Sequence, residues 1–246
     1  MAHIPNKARE RLAAGQLALG MALRQARTVE IGRVLAACGF DFAFVDMEHN
    51  TMSIDTAAQI AVACHDAGVT PLVRVPGYEH HLATRLLDAG AMGIVFPHVD
   101  TPEHAKQLVS NCKYPPMGHR SLGGPVAQLG FRPYPRAEAT ALVNTETLLV
   151  MMLETPKAID NAEALAAVPG VDVLLIGTNW DKSDCVIQEF APAGGWPHRI
   201  FPCANIAPKI SAEFAGGAPR IVTKVLAICR TPLTLPSSFT TAGIWK

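Results

Sequence analysis

Charge is scarce in this chain and evenly split. Asp, Glu, Lys and Arg make up 17% of the 246 residues, with 21 basic against 21 acidic. A protein that lives on phosphate backbones carries a basic excess, so nucleic acid is not the expected partner. Apolar residues reach 49%, yet they form no uncharged run long enough to span a bilayer, which argues against a membrane protein. The opening MAHIPNKARERLAAG is basic but lacks the apolar centre of a signal peptide. The six cysteines (Cys38, Cys64, Cys112, Cys185, Cys203 and Cys229) contain no Cys-x-x-Cys pair. They are also too sparse for a disulfide framework. Reduced thiols in a cytoplasmic protein are the expectation.

Several catalytic motifs are missing as well. No glycine-rich dinucleotide fingerprint follows the first strand, and no GxxxxGK[ST] phosphate loop occurs. No Gly-x-Ser-x-Gly elbow presents a nucleophile, and no lysine ends a strand where a Schiff base would form. Carbonyl chemistry in such a chain needs a metal.

What is present is a regular alternation. LALGMAL (17–23), FDFAFVDME (40–48), TPLVRVP (70–76), MGIVFPHV (92–99), TLLVMMLET (147–155) and VDVLLIGT (171–178) are short apolar runs that suit buried strands. Between them lie helical patterns at 28–39, 53–68, 80–90, 101–112 and 156–168. Thr28 stands as a candidate N-cap, and Thr101-Pro102 as a cap followed by proline in the first turn. Strands alternating with helices of this length predict parallel β-α units. A doubly wound sheet gathers its ligand groups at one switch point, whereas a (β/α)₈ barrel collects them from many strand ends. Here nearly every strand ends in reactive groups: Asp46, Glu48 and His49, then Arg74, His98, Glu154 and Thr178-Asn179. The expected fold is therefore a single α/β domain, a (β/α)₈ TIM barrel, over 1–246. The stretch 113–138 is long and irregular, the kind of loop that serves as a lid or an oligomer contact. After Asn179 the rhythm stops. The last two barrel strands are not identifiable in 180–246, where only 219–230 reads as one short helix.

Three groups could carry chemistry. Glu154, with an acid after the sixth strand, offers hard oxygen ligands for Mg²⁺ or Mn²⁺, or else caps the following helix. Asp46, Glu48 and His49 could form a general base, or pair with neighbouring cations. Arg74 lies inside an apolar strand, where its planar fork needs an anion: a substrate carboxylate, or Asp46, Glu48 or Asp88. The histidines His65, His80, His81, His104 and His119 read as surface residues.

The motifs FDFAFVDMEH (40–49), VRVP (73–76), LLDAGAMGIVFPHVDTPEHA (86–105), YPPMGHRSLGG (114–124), LLVMMLET (148–155) and AIDNAEALAAVPGVDVLLIGTN (158–179) stand in order. Together they resemble the HpcH/HpaI family of class II pyruvate aldolases, over a core of 17–179. The GHRSLGG form is similar to the branch acting on 4-hydroxy-2-oxoheptanedioate. The resemblance implies a barrel, usually hexameric, that cleaves 4-hydroxy-2-oxo acids to pyruvate and an aldehyde. It also implies a divalent ion (Mg²⁺, Mn²⁺ or Co²⁺) that binds pyruvate and stabilises its enolate. Carried over by position, Glu154 is the first metal carboxylate and Arg74 holds pyruvate. His49 with Asp46 moves the proton, Asp88 lies close to this network, and Gly177 and Thr178 contact the pyruvate carboxylate. The chain departs from the family at two places. Trp180 stands where the second metal aspartate belongs, with Asp181 one residue later, and Met152 replaces a glutamine. These departures point to the rival expectation, a barrel homologue without catalysis. A lyase acting on acyl-CoA wants a basic groove for the CoA phosphates, and no such cluster occurs near the strand ends.

Overall fold

The computed structural model describes residues 5–77, 80–124, 127–176, 200–201 and 225–228. The chain opens with α1 (Lys7–Ala13), β1 (Ala18–Leu23), α2 (Ile31–Ala37), β2 (Phe42–Asp46), α3 (Ile54–Asp66), β3 (Thr70–Arg74) and α4 (His80–Asp88). Next come β4 (Gly93–Phe96), α5 (Pro102–Cys112), a 3-10 turn at Ala127–Leu129, α6 (Arg136–Glu146) and β5 (Leu148–Leu153). It continues with α7 (Pro156–Asp160), α8 (Ala162–Ala166), β6 (Val173–Ile176), β7 (Ile200–Phe201) and β8 (Val225–Ile228).

Strands β1 to β7 lie side by side in chain order and all run parallel. Each connection steps one strand in the same direction, the winding of a barrel wall; a doubly wound sheet reverses its order at a switch point. β8 joins the opposite edge, antiparallel to β1. Among the described residues no ladder joins β7 to β8. Two expectations change here. Residues 225–228 are strand rather than helix, and Ile200–Phe201 adds a strand where the sequence shows none. A two-residue strand carries no period, and Val-Leu-Ala-Ile is too short to separate period 2 from 3.6. The free edge of β1 supplies the backbone partners that decide it.

Local signals place several helices. Ser53, Thr101 and Thr155 each accept a backbone N–H of the first turn, with Pro102 and Pro156 just inside their helices. Thr28 is not a cap, because α2 starts after Glu30 and has no side-chain cap. The helix expected over 156–168 divides at Asn161, whose amide donates to the Asp100 carbonyl at 2.8 Å. Among the described residues no helix is long and apolar enough to cross a membrane.

The sheet has two apolar faces. One packs on the helices through Ala43, Val45, Val73, Ile94, Leu149 and Met151. The other, offset by one residue, carries Phe42, Phe44, Leu72, Val95, Leu148, Val150 and Met152. Glycine makes room on this inner face: a Cβ at Gly20 would stand 2.1 Å from the Phe42 ring. Helix α1, unforeseen in the sequence, closes the N-terminal end of the strands with Ala8 and Leu12. Asn6 pins it there, donating to the carbonyls of Met92 at 3.2 Å and Glu146 at 2.7 Å. With that end plugged, the C-terminal ends of the strands are left for chemistry.

The irregular stretch after α5 is packed down by its own small core of Tyr114, Leu129, Ala139 and Val143. Lys113 is buried beside it. Its ammonium donates to the carbonyls of Asn144 (2.7 Å) and Thr147 (2.6 Å), while burial pulls its pKa down to about 8.

Candidate functional site

The two-residue alternation that sends Phe42 and Phe44 inward sends Asp46 the same way, at the last position of β2. Arg74 follows Leu72 on the inner face of β3, and Glu154 follows Met152 just beyond β5. In parallel strands these C-terminal ends lie together, so three polar side chains meet above an apolar floor.

Arg74 clamps Asp46 with both arms of its fork, Nε to Oδ1 at 3.0 Å and Nη2 to Oδ2 at 2.7 Å. Asp46 keeps 2% exposure and Arg74 9%. The Arg74 guanidinium also lies 5.6 Å from the centre of the Phe44 ring. Burial alone would raise the Asp46 carboxyl. The hydrogen bonds and charge of Arg74, with the backbone N–H groups of His49 and Glu48, outweigh it and hold the pKa below the ordinary value. Of the acids open to Arg74, the structure sets it against Asp46 and Glu48 and not Asp88.

Glu48 extends the line. Arg74 Nη1 approaches its Oε2 to 2.8 Å as an ion pair, but the N–H directions miss hydrogen-bond geometry. That oxygen therefore stays buried without a hydrogen bond among the described residues. His98 then bridges two carboxylates: Nε2 lies 3.4 Å from Glu48 Oε1, and Nδ1 lies 3.1 Å from Glu154 Oε2. The backbone N–H of His98 donates to the same Glu154 oxygen at 2.9 Å. Glu154 is thus no helix cap; Thr155 caps α7. Arg24, at the end of β1, closes the other flank, with Nε 3.4 Å from Asp46 Oδ2 and Nη2 donating to the His49 carbonyl at 2.7 Å.

His49 is differently placed from the expected dyad. Its ring is 56% exposed with Nε2 3.6 Å from Glu48 Oε2, and only its backbone N–H reaches Asp46 Oδ1, at 3.3 Å. The guanidinium has taken the carboxylate that the imidazole was expected to use. Asp88 does not join the cluster within this chain. It ends α4, at the opposite end of the sheet, and pairs with Arg120 at 2.6 Å. His65 is buried rather than on the surface, its Nε2 on the Gly90 carbonyl, and burial lowers its pKa. Gly177, Thr178, Trp180 and Asp181 lie outside the described residues.

Two members of the site escape sequence reasoning. Arg24 follows directly on an apolar strand, the same signal that exposes Arg74 and Glu154, but it sits before an irregular stretch that hides the strand end. His98 is one of the strand-end polar groups, yet nothing in its neighbours announces that it turns back onto Glu154.

The donor set bears on a divalent cation. Among the described residues no three His, Cys, Asp or Glu side chains form a metal cage. The two-carboxylate site expected from the sequence resemblance asks less of this region. Glu154 is a hard oxygen donor, 9% exposed, whose Oε1 accepts no hydrogen bond from a described residue. Three carboxylates (Asp46, Glu48 and Glu154) face two guanidinium groups (Arg24 and Arg74), and one carboxylate oxygen is orphaned and buried. Such a surplus of acceptors fits a cation.

Fold and site together define an α/β protein of barrel winding, with carboxylates, guanidinium groups and a histidine gathered on its C-terminal strand ends. The chain belongs to the HpcH/HpaI aldolase/citrate lyase family, whose profile matches residues 23–181. It is 41% identical over 175 residues to the 4-hydroxy-4-methyl-2-oxoglutarate aldolase of Chaetomium globosum, covering 70% of this chain and 65% of that protein. A 4-hydroxy-2-oxovalerate aldolase of Rhodococcus jostii is 32% identical over 97% of this chain and 90% of its own length, so that alignment runs past residue 179. The crystal structure of an HpcH/HpaI aldolase from Desulfitobacterium hafniense superposes with a TM-score of 0.66 at 31% identity, covering 72% of this chain and 67% of that one. The Chaetomium and Rhodococcus proteins are named for 4-hydroxy-2-oxo acids other than the heptanedioate.

Proposed function

We propose that this protein is a metal-dependent aldolase that reversibly cleaves 4-hydroxy-2-oxo acids to pyruvate and an aldehyde. The observation that carries the reading is the unbroken line of contacts from Asp46 through Arg74, Glu48 and His98 to Glu154. The family's closed barrel and hexamer, in the cytoplasm, are the form in which we expect it to act. The free thiols of Cys38, Cys64 and Cys112 agree with a reducing compartment.

Cleavage removes the proton of the 4-hydroxyl, breaks the C3–C4 bond and leaves its electron pair on C3 as the enolate of pyruvate. Protonation at C3 then completes the product. His49, exposed at the rim, carries the proton through a bridging water. Asp46 holds the His49 and Glu48 backbone and fixes the plane of Arg74. Arg74, held by Asp46 through Nε and Nη2, presents Nη1 to the oxygens where negative charge develops, and its fixed position means little reorganisation during reaction. Gly177 and Thr178 complete the carboxylate contacts in this reading. Asp88 is a candidate by family position only, since within the chain it stays on Arg120.

Glu154 and Asp181 would hold the divalent cation (Mg²⁺, Mn²⁺ or Co²⁺). When bound, it supplies a Lewis acid for the oxygens of the 2-oxo acid.

The test is proton–deuterium exchange at C3 of pyruvate, followed by NMR in D₂O. Protein stripped by a chelator is compared with protein resupplied with each metal. Exchange above a protein-free control is expected, and Arg74→Ala is expected to abolish it. A folded protein that exchanges nothing with any of the three metals refutes the reading.

A further inference from the structure

His98 is given no chemical step in the aldolase reading, and its backbone is out of the ordinary. Its φ is 54°, in the left-handed region that a non-glycine residue enters only at a steric cost. Such outliers persist where the surroundings hold them, and they concentrate at working sites. The left-handed turn after β4 reverses the chain so that the backbone N–H donates to an acceptor that ring Nδ1 also approaches, within ion-pair distance but without hydrogen-bond geometry. That acceptor is Glu154 Oε2, at 2.9 Å and 3.1 Å. The loop behind is itself fastened: Thr155 Oγ1 donates to Asp100 Oδ1 at 2.6 Å, and Asn161 donates to the Asp100 carbonyl at 2.8 Å. Val99 N–H reaches the Met152 carbonyl at 3.2 Å. His98 therefore stands on a braced turn, and on its other side ring Nε2 lies 3.4 Å from Glu48 Oε1.

We propose that His98 is a positioning residue for the metal carboxylate. It engages Glu154 Oε2 from the β4 side and leaves Oε1 as the oxygen open to a divalent cation. This rests on the reading of Glu154 as a metal ligand. Residues that orient ligating carboxylates control affinity without touching the ion. Because one contact is made by the backbone and the other by the side chain, the two contributions can be separated. Glycine suits φ 54°, keeps the backbone N–H and removes the ring. Asparagine tolerates the same φ and offers an amide nitrogen near the place of Nδ1.

The experiment titrates chelated protein with Mn²⁺, without substrate, reading free Mn²⁺ by EPR and checking heats by calorimetry. His98→Gly is expected to keep or raise the melting temperature while weakening Mn²⁺ binding about 10- to 100-fold. His98→Asn is expected to restore most of that loss. If His98→Gly binds Mn²⁺ as tightly as the unaltered protein, or His98→Asn binds as weakly as His98→Gly, the positioning role is overturned. An unaltered protein that binds no Mn²⁺ overturns the metal reading itself, and with it this one.

Discussion

Replacing Arg74 with methionine removes the charge and the fork but keeps most of the side-chain volume. Its partner Asp46 is left with 2% exposure. It loses bonds of 3.0 Å and 2.7 Å, keeping only the N–H groups of Glu48 (3.1 Å) and His49 (3.3 Å) and the longer Arg24 pair. Breaking a buried pair this way costs about 3–5 kcal/mol, since one charge stays buried without its partner. In a domain of this size that lowers the melting temperature by roughly 6–20 °C. Adding Asp46→Asn removes the stranded charge while keeping an acceptor for both N–H groups, so the double variant should regain more than half of the loss.

The pH dependence supplies the sharper check. In the unaltered protein the Asp46 pKa is lowered. Its stabilising contribution is therefore present above the unfolded carboxyl value of about 3.9 and lost as pH falls through the folded value. In Arg74→Met, burial dominates and the folded pKa rises above the unfolded one. The contribution is then retained in acid and lost as pH rises. The gap between the two proteins, read by thermal unfolding with circular dichroism, should be widest near neutrality and narrow towards about pH 4. A gap independent of pH, or a double variant no more stable than the single, refutes this account of the pair.

Two further outcomes follow from the packing. Gly20→Ala puts a Cβ 2.1 Å from the buried Phe42 ring, so it should cost about 1–3 kcal/mol in urea unfolding, with part regained when Phe42→Leu is added. Burial raises the thiols of Cys64 and Cys112 to about 12, whereas Cys38 is exposed. Iodoacetamide at pH 8 should thus label Cys38 in the native protein and reach the other two only after denaturation. Native labelling of Cys64 as fast as Cys38, read by peptide mass mapping, would count against the helix–sheet packing described.

The strand and helix alternation was legible because both periods are written in side chains. LLVMML is buried throughout, and Ser53, Thr101 and Thr155 announce their helices through capping oxygens. Asp46, Arg74 and Glu154 were legible as polar groups closing apolar runs. Their partnership was not, because sequence spacing says nothing about which ion on one strand end faces which on the next. It left Arg74 divided between a substrate carboxylate and the acids Asp46, Glu48 and Asp88, and only the structure set it on Asp46 at 2.7 Å and Glu48 at 2.8 Å. It gave Asp46 to His49, whereas the register of β2 on β3, which sets Asp46 opposite Arg74, gave it to the guanidinium.

By itself, then, the sequence determined the alternation of strands and helices from β1 to β6 and the polar groups that close those strands. These follow from burial period, turn residues and caps, all local quantities. Only the tertiary structure decided that α1 plugs the N-terminal end, that β8 pairs with β1, and that His98 folds back on Glu154. Each of these depends on contacts between residues more than 50 positions apart. A chain's local pattern cannot specify such contacts, because the competing partners have the same chemistry until distance and direction separate them.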